Sequence, residues 1–264
     1  MRDAYTDIRE NIMIYPVLLC AIASFSTVIG GIAVAFIKNM TTEVLAVFQG
    51  FAAGVMITIS LVEMMPGSLS EFIHTSDNNI FFGTAVFVLI LTGGWFAGIA
   101  ISHIADRVCC RKKTMNSAGR ISLVTTAVMV LHNLPEGMVT IFSGMEDAQM
   151  GLGMAFAVAL HNIPEGVAVA SSVICAGSTK GLGVVHSFVA GLSEFAGGVA
   201  AAVIFRNMLS AAFTATVFAA VSGVMMQVSL CELIPNGIKM SEKRYTVYGI
   251  AAGAAVIYCG LRLI

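Results

Sequence analysis

The amino-acid sequence predicts an all-α polytopic membrane protein: eight transmembrane helices in an inverted repeat of three, two and three, with both termini extracellular. Three observations lead there: an extreme composition, eight long apolar runs with short connections, and two polar motifs that each occur twice. Of 264 residues, 58% are hydrophobic and 11% charged, outside the usual mix of a water-soluble domain. A helix needs about 20 mostly apolar residues to cross a bilayer, and open strands cannot satisfy their backbone groups in lipid. Long apolar runs therefore read as helices.

The first run, 12–37, follows the mixed-sign stretch MRDAYTDIRE and is as long as a full span, so it reads as a retained helix rather than a cleaved signal peptide. The second, 44–66, closes on GVMITISLVEMMP. The third, 80–105, carries GGWFAG around Trp95, small residues that fit close helix packing or a homodimer face. The fourth and fifth, 119–143 and 150–176, carry LHNLPEG and LHNIPEG. The sixth, 181–205, contains GLSEFAGG, the seventh, 209–235, contains GVMMQVSLCELIP, and the eighth covers 245–264. Together they form a single transmembrane domain over 1–264, with no room for a soluble or DNA-binding module. A net charge of -1 points to no nucleic-acid partner.

Lys and Arg orient the bundle in the lipid bilayer, because they collect on the cytoplasmic side. With the termini outside, the inner side holds Lys38, Arg107, Arg111, Lys112, Lys113, Arg120, Lys180, Lys239, Lys243 and Arg244, against Arg2, Arg9, Arg206 and Arg262 outside. Cys20, Cys175, Cys231 and Cys259 fall in apolar runs and read as small buried hydrophobes. Cys109 and Cys110 stand in the basic inner loop, where a reducing cytosol disfavours a disulfide. An inert pair or a metal hand-off both fit them.

The pattern GVM-x3-SL-x-E-x2-P recurs without a gap at 54–66 and 223–235, and LHN-x-PEG recurs in the two central runs. Under the assigned topology the partners of each pair run in opposite directions, as in an inverted-repeat transporter with its site near the midplane. Within each cassette, His132 and Glu136, or His161 and Glu165, lie four apart and share a helix face. Imidazole nitrogen with carboxylate oxygen suits zinc and its first-row neighbours. Pro135 and Pro164 leave the carbonyls of Leu131 and Leu160 without helical donors. Asn133 and Asn162, one step around each helix, can offer amide oxygens to a second, adjacent ion. Gly137 and Gly166 permit close helix approach. A structural Pro kink whose polar groups satisfy loose backbone is the alternative. Facing carboxylates in low dielectric repel unless a cation or protons lie between them, and that favours the metal site.

HNLPEG and HNIPEG on neighbouring helices resemble the signature of the ZIP (Zrt/Irt-like) divalent-metal transporters, and the layout is similar to their bacterial zinc-uptake branch over nearly the whole chain. The resemblance implies an eight-helix fold, extracellular termini and metal uptake into the cytosol. It also implies ligands from both cassettes plus a sixth-helix carboxylate: His132, Asn133, Glu136, His161, Asn162, Glu165 and, in GLSEFAGG, Glu194. Phe195 follows that Glu where many members have Pro, and CCRKKTMNSAGR lacks the His-rich loop of many eukaryotic members. Outside the cassettes, Glu63 and Glu232 read as pathway groups or solvated helix ends, and Met56 as a soft pathway ligand or as packing. His186 reads as a relay ligand or a packed histidine, and His74 and His103 as interfacial.

The expected function is import of divalent metal ions, zinc foremost, across the cytoplasmic (inner) cell membrane by alternating access, with the metal as substrate, no cofactor and no covalent chemistry. An intramembrane metallohydrolase needs an open water position and a base in an HExxH-like motif, which the chain lacks. A non-transporting metal-binding or sensing protein is the other alternative. The charge count makes topology testable: a cysteine at Asn116 should be labelled only from the cytosol and one at Ser76 only from outside. The opposite labelling pattern inverts the direction of uptake.

Overall fold

The computed structural model describes residues 2–37, 41–110, 117–205 and 210–263. Lys38, Arg111, Lys112, Lys113, Asn116 and Arg206 lie outside the described residues, as do the side chains of Arg2, Arg9, Cys109, Cys110 and Arg120. Among the described residues the chain is helical without strands. Its segments join into eight rods: α1 (Arg2–Phe36), α2 (Thr42–Thr75), α3 (Ile80–Cys110), α4 (Ser117–Glu146), α5 (Ala148–Cys175), α6 (Lys180–Phe205), α7 (Ala211–Met240) and α8 (Lys243–Gly260). Among the described residues six are long and apolar enough to cross a membrane: α2, α5, α6, α7, the Ile80–Ile104 part of α3 and the Met13–Phe36 part of α1. The protein is therefore a multi-pass membrane protein.

Local chemistry sets the ends of these rods. The Thr41, Asp147 and Ser210 side chains accept from the backbone N–H groups of Val44, Met150 and Phe213 at 3.5, 2.8 and 3.2 Å, so α2, α5 and α7 each start on a capping residue. Asp147 alone separates α4 from α5, and so short a link forces the two helices to run antiparallel. The α2–α3 turn places Asp77 and Asn78 at φ of 52° and 60°, the left-handed region that these short polar residues tolerate.

Rods α2 and α7 run past the Pro at which their apolar runs end. In α2 a π-helical turn, Ser60–Met64, precedes Pro66, and in α7 a π-helical turn, Ser229–Leu233, precedes Pro235. The N–H of Met65 donates to Ser60 O, and that of Ile234 to Ser229 O. Each π turn places its proline in the first turn of the next helical segment, where the missing N–H is not needed. Helix continues to Thr75 and Met240 for that reason.

The contacts come in matched pairs. Helix α2 packs along α8 as α7 packs along α3, and α1 packs along α5 as α6 packs along α4. Across the α2–α7 contact, Ser60 Oγ donates to Met225 Sδ at 3.8 Å and Ser229 Oγ to Met56 Sδ at 3.7 Å, residues at matching places in the two GVM words. Glycines let backbones touch in each pair: a Cβ at Gly50 or Gly54 would collide with Thr246 or Ile250 of α8, and one at Gly94 or Gly223 with Ala220 of α7 or Leu91 of α3. GGWFAG therefore serves close helix packing, with Gly94 and Gly98 against α7. Gly54→Val should destabilise the detergent-solubilised protein by about 1–3 kcal/mol through overpacking. The checking measurement is a thermal melt, and an unchanged midpoint contradicts the tight α2–α8 contact.

Candidate metal site

Both Pro135 and Pro164 lie inside continuous helix, so the cassettes keep the four-residue spacing that stacks His over Glu. Antiparallel α4 and α5 bring the two stacks together. His132 Nε2 lies 3.1 Å from Glu136 Oε1 and 3.9 Å from Glu165 Oε1, while His161 Nε2 lies 3.2 Å from Glu136 Oε2. Donor atoms of His132, Glu136 and Glu165 all fall within 4.8 Å of one another. All four side chains are at most 1% exposed.

Asn133, Asn162 and Glu194 join them from the flanks, equally buried. Asn162 Nδ2 donates to Glu194 Oε2 at 2.6 Å and to Ala23 O of α1 at 2.9 Å. Asn133 Nδ2 donates to Ala190 O of α6 at 3.4 Å. The two asparagines thus tie the cassette helices to α6 and α1 respectively. Gly137 and Gly166 make this possible, since a Cβ at either would strike the Glu194 or Thr27 carbonyl.

The hydrogen-bond pattern is lopsided. Both carboxylate oxygens of Glu165, Oε1 of Glu194 and Oδ1 of Asn133 and Asn162 are buried without a hydrogen-bond partner, as are Nδ1 of His132 and of His161, while Oε1 of Glu136 meets only His132 Nε2. Buried acceptors are ordinarily paired, and an unpaired buried charge is costly. A buried cluster of unpaired carboxylate, amide and imidazole atoms has the chemistry of a cation site. Its nitrogen and oxygen atoms suit zinc and neighbouring divalent metals.

The remaining sequence-predicted residues are placed as follows. Met56 is buried, and its Sδ accepts from Ser229 Oγ. Half-buried His186 places Nδ1 2.9 Å from Thr126 Oγ1, the packed, hydrogen-bonded alternative. His74 and His103 are exposed, as interfacial residues would be. Glu63 and Glu232 line two separate cavities. Glu232 borders one of about 410 Å³, with Gln49 of α2, Thr125 and Met129 of α4, Ser171 of α5 and Asn236 of α7. Glu63 borders another of about 260 Å³, with Asp147, Met150 and Met154. Sequence reasoning missed the partner of Glu232, which is Ser102 Oγ on α3. A lone serine in an apolar run carries no signal of it.

Comparison with known proteins follows this geometry. A family model described as ZIP Zinc transporter matches residues 102–259. The chain is similar to the Zinc transporter ZupT of Enterobacter sp. (strain 638), at 34% identity over 96% of this chain and 97% of that one. It is similar to the ZupT of Salmonella heidelberg (strain SL476) at 32%, and to that of Escherichia fergusonii at 33%, with the same coverage. The asparagine geometry has its own expected outcome. Asn162→Leu removes two buried hydrogen bonds, one to a carboxylate, and should cost about 1–3 kcal/mol, while Asn133→Leu, losing one long bond, should cost less. Thermal melts of the two variants check the order; equal midpoints contradict it.

Proposed function

The chain belongs to the ZIP zinc transporter family, and on that footing we propose that it imports divalent transition-metal cations, zinc foremost, across the cytoplasmic (inner) cell membrane by alternating access. In this reading 1–264 is one transporter domain, all eight rods cross the bilayer, and both termini face outside. His132, Glu136, His161 and Glu165 hold the substrate ion, and Asn133, Asn162 and Glu194 flank them and serve an adjacent ion position. The observation that carries the reading is the buried His/Glu cluster where α4 and α5 cross.

Two further features support transport over permanent binding. Along α5 the cassette, 161–165, stands between Met150–Met154 of the Glu63 cavity and Val167–Ala176 of the Glu232 cavity. An ion leaving the site meets one cavity toward either face. The matched halves also differ in packing. Gln49 and Ser171 line the larger cavity, whereas their counterparts in the repeat, Phe218 and Phe142, are buried in the apolar core. Phe142 meets Phe213 edge-on at 5.6 Å between ring centres. With the proposed topology the end with the larger cavity faces the cytosol and the end with the smaller one faces outside. A transporter of two related halves reverses such an asymmetry by moving one bundle against the other.

The cassettes should act as one unit. Glu136→Ala and Glu165→Ala are each expected to lower zinc uptake into proteoliposomes by at least about tenfold, the loss that about 1.4 kcal/mol of binding represents, with normal membrane expression. Because both carboxylates hold one cation, the double variant should be little worse than either single one. A double variant that expresses normally and imports zinc at the wild-type rate overturns the reading.

A further inference from the structure

The pairing of helices extends to α1 and α6, and there it exposes a residue of the site that the family motif does not contain. Gly30 of α1 abuts the carbonyl of Ile163, and Gly197 of α6 abuts that of Leu134, the matching residues of the two cassettes. Gly166 abuts the Thr27 carbonyl as Gly137 abuts that of Glu194. Asn162 donates to Ala23 O as Asn133 donates to Ala190 O. Each correspondence sets α1 on α6 in the same register, and that register places Thr27 opposite Glu194. The sequence carries the echo: TVIGG at 27–31 and EFAGG at 194–198.

Thr27 is fully buried, and its Oγ1 has no hydrogen-bond partner. Its Cβ faces Gly191, one turn before Glu194, and its carbonyl faces Gly166, next to Glu165. On the α6 side, Glu194 is long enough to reach Asn162. On the α1 side the shorter threonine leaves its own hydroxyl unpaired, and Asn133 Oδ1 is unpaired there as Asn162 Oδ1 is on the α6 side. A buried hydroxyl in an apolar bundle costs free energy unless something uses it.

Resting on the import reading above, we propose that Thr27 completes the substrate site as the neutral counterpart of Glu194, its hydroxyl oxygen serving with Asn133 Oδ1 on the α1 flank of the cassettes as Glu194 serves with Asn162 on the α6 flank, so that an ion beside the cassettes meets a charged flank and a neutral one. Three pairs of the site are identical across the repeat, His132 with His161, Asn133 with Asn162, and Glu136 with Glu165. The fourth pair is Thr27 with Glu194. A carboxylate on one side only makes the two flanks unequal in charge, so that one holds the ion firmly and the other passes it on. Two carboxylates would hold the ion on both flanks and slow its release.

The test uses full-length protein in proteoliposomes, with zinc as the probe, reading uptake against zinc concentration and bound zinc per chain. Thr27→Val keeps the shape and removes the oxygen; it should raise the half-saturating zinc concentration about tenfold, the equivalent of one weak ligand, while Thr27→Ser stays near wild type. Thr27→Glu should bind more zinc per chain and turn over more slowly, and Glu194→Ala should bind less. Val and Ser variants that are equally impaired would assign the effect to packing and overturn the proposal. So would a Val variant with wild-type uptake at every zinc concentration, or, should Thr27→Val not fold, a Glu variant with unchanged zinc content and turnover. Wild-type protein in the same vesicles separates the two readings. If it imports zinc and Thr27→Val is indistinguishable from it, only the role of Thr27 falls; if the wild type moves no zinc, the import reading itself falls.

Discussion

Three carboxylates, Glu136, Glu165 and Glu194, are buried together with two imidazoles in a bundle of apolar helices, and the rest of the structure depends on that placement. Like charges so close in a low dielectric repel unless cations or protons compensate them. A solvated surface would relieve the strain but would hold a metal weakly. The protein instead surrounds the group on every side with tightly packed helix, and glycines at 30, 137, 166 and 197 bring backbones near enough to exclude water. Asn133 donates to neighbouring backbone, Asn162 to backbone and to Glu194, and the amide oxygens of both stay buried and unpaired. The site keeps acceptors in excess, which a divalent cation can balance.

The second organising element is the internal duplication. Reciprocal Ser–Met contacts join the GVM words across α2 and α7. Matched glycine contacts join α1 to α5 and α6 to α4. Repetition alone would give two equal ends and no direction. The halves differ through substitutions within the frame: Ser171 against Phe142, Gln49 against Phe218, and Thr27 against Glu194. In the first two pairs a polar residue borders a cavity where its counterpart is an apolar residue in the core. Each π turn also contributes, because it lets helix persist beyond Pro66 or Pro235 while leaving Glu63 or Glu232 at the rim of a cavity.

Much of this was legible in the sequence, for identifiable reasons. Helix is the default for long apolar runs in lipid, so the all-helical, multi-pass character could be read from hydropathy. Ends such as Thr75 and Met240 could not, because a proline usually marks a boundary and a π turn that absorbs it leaves no local signal. His132 with Glu136, and His161 with Glu165, were found because ionisable residues are rare in apolar helices and the cassette occurs twice. Glu194 came through family resemblance. Thr27 went unnoticed, since a single threonine in an apolar helix is unremarkable until the packing of α1 against α5 sets it beside the site.

By itself the sequence determined the compartment, the helical class, the antiparallel pairing of the two cassettes and their metal-type chemistry. Those properties follow from composition and from spacings of three to four residues, which local helix geometry converts into shared faces. Only the tertiary structure decided which oxygens remain unpaired, that Met56 and His186 are satisfied by Ser229 and Thr126, and that Glu63 and Glu232 serve different cavities. Such facts turn on contacts between helices far apart in the chain. Helix packing angles and rotations are set by close fit across whole interfaces rather than by any local word, and so they become visible only when the bundle is assembled.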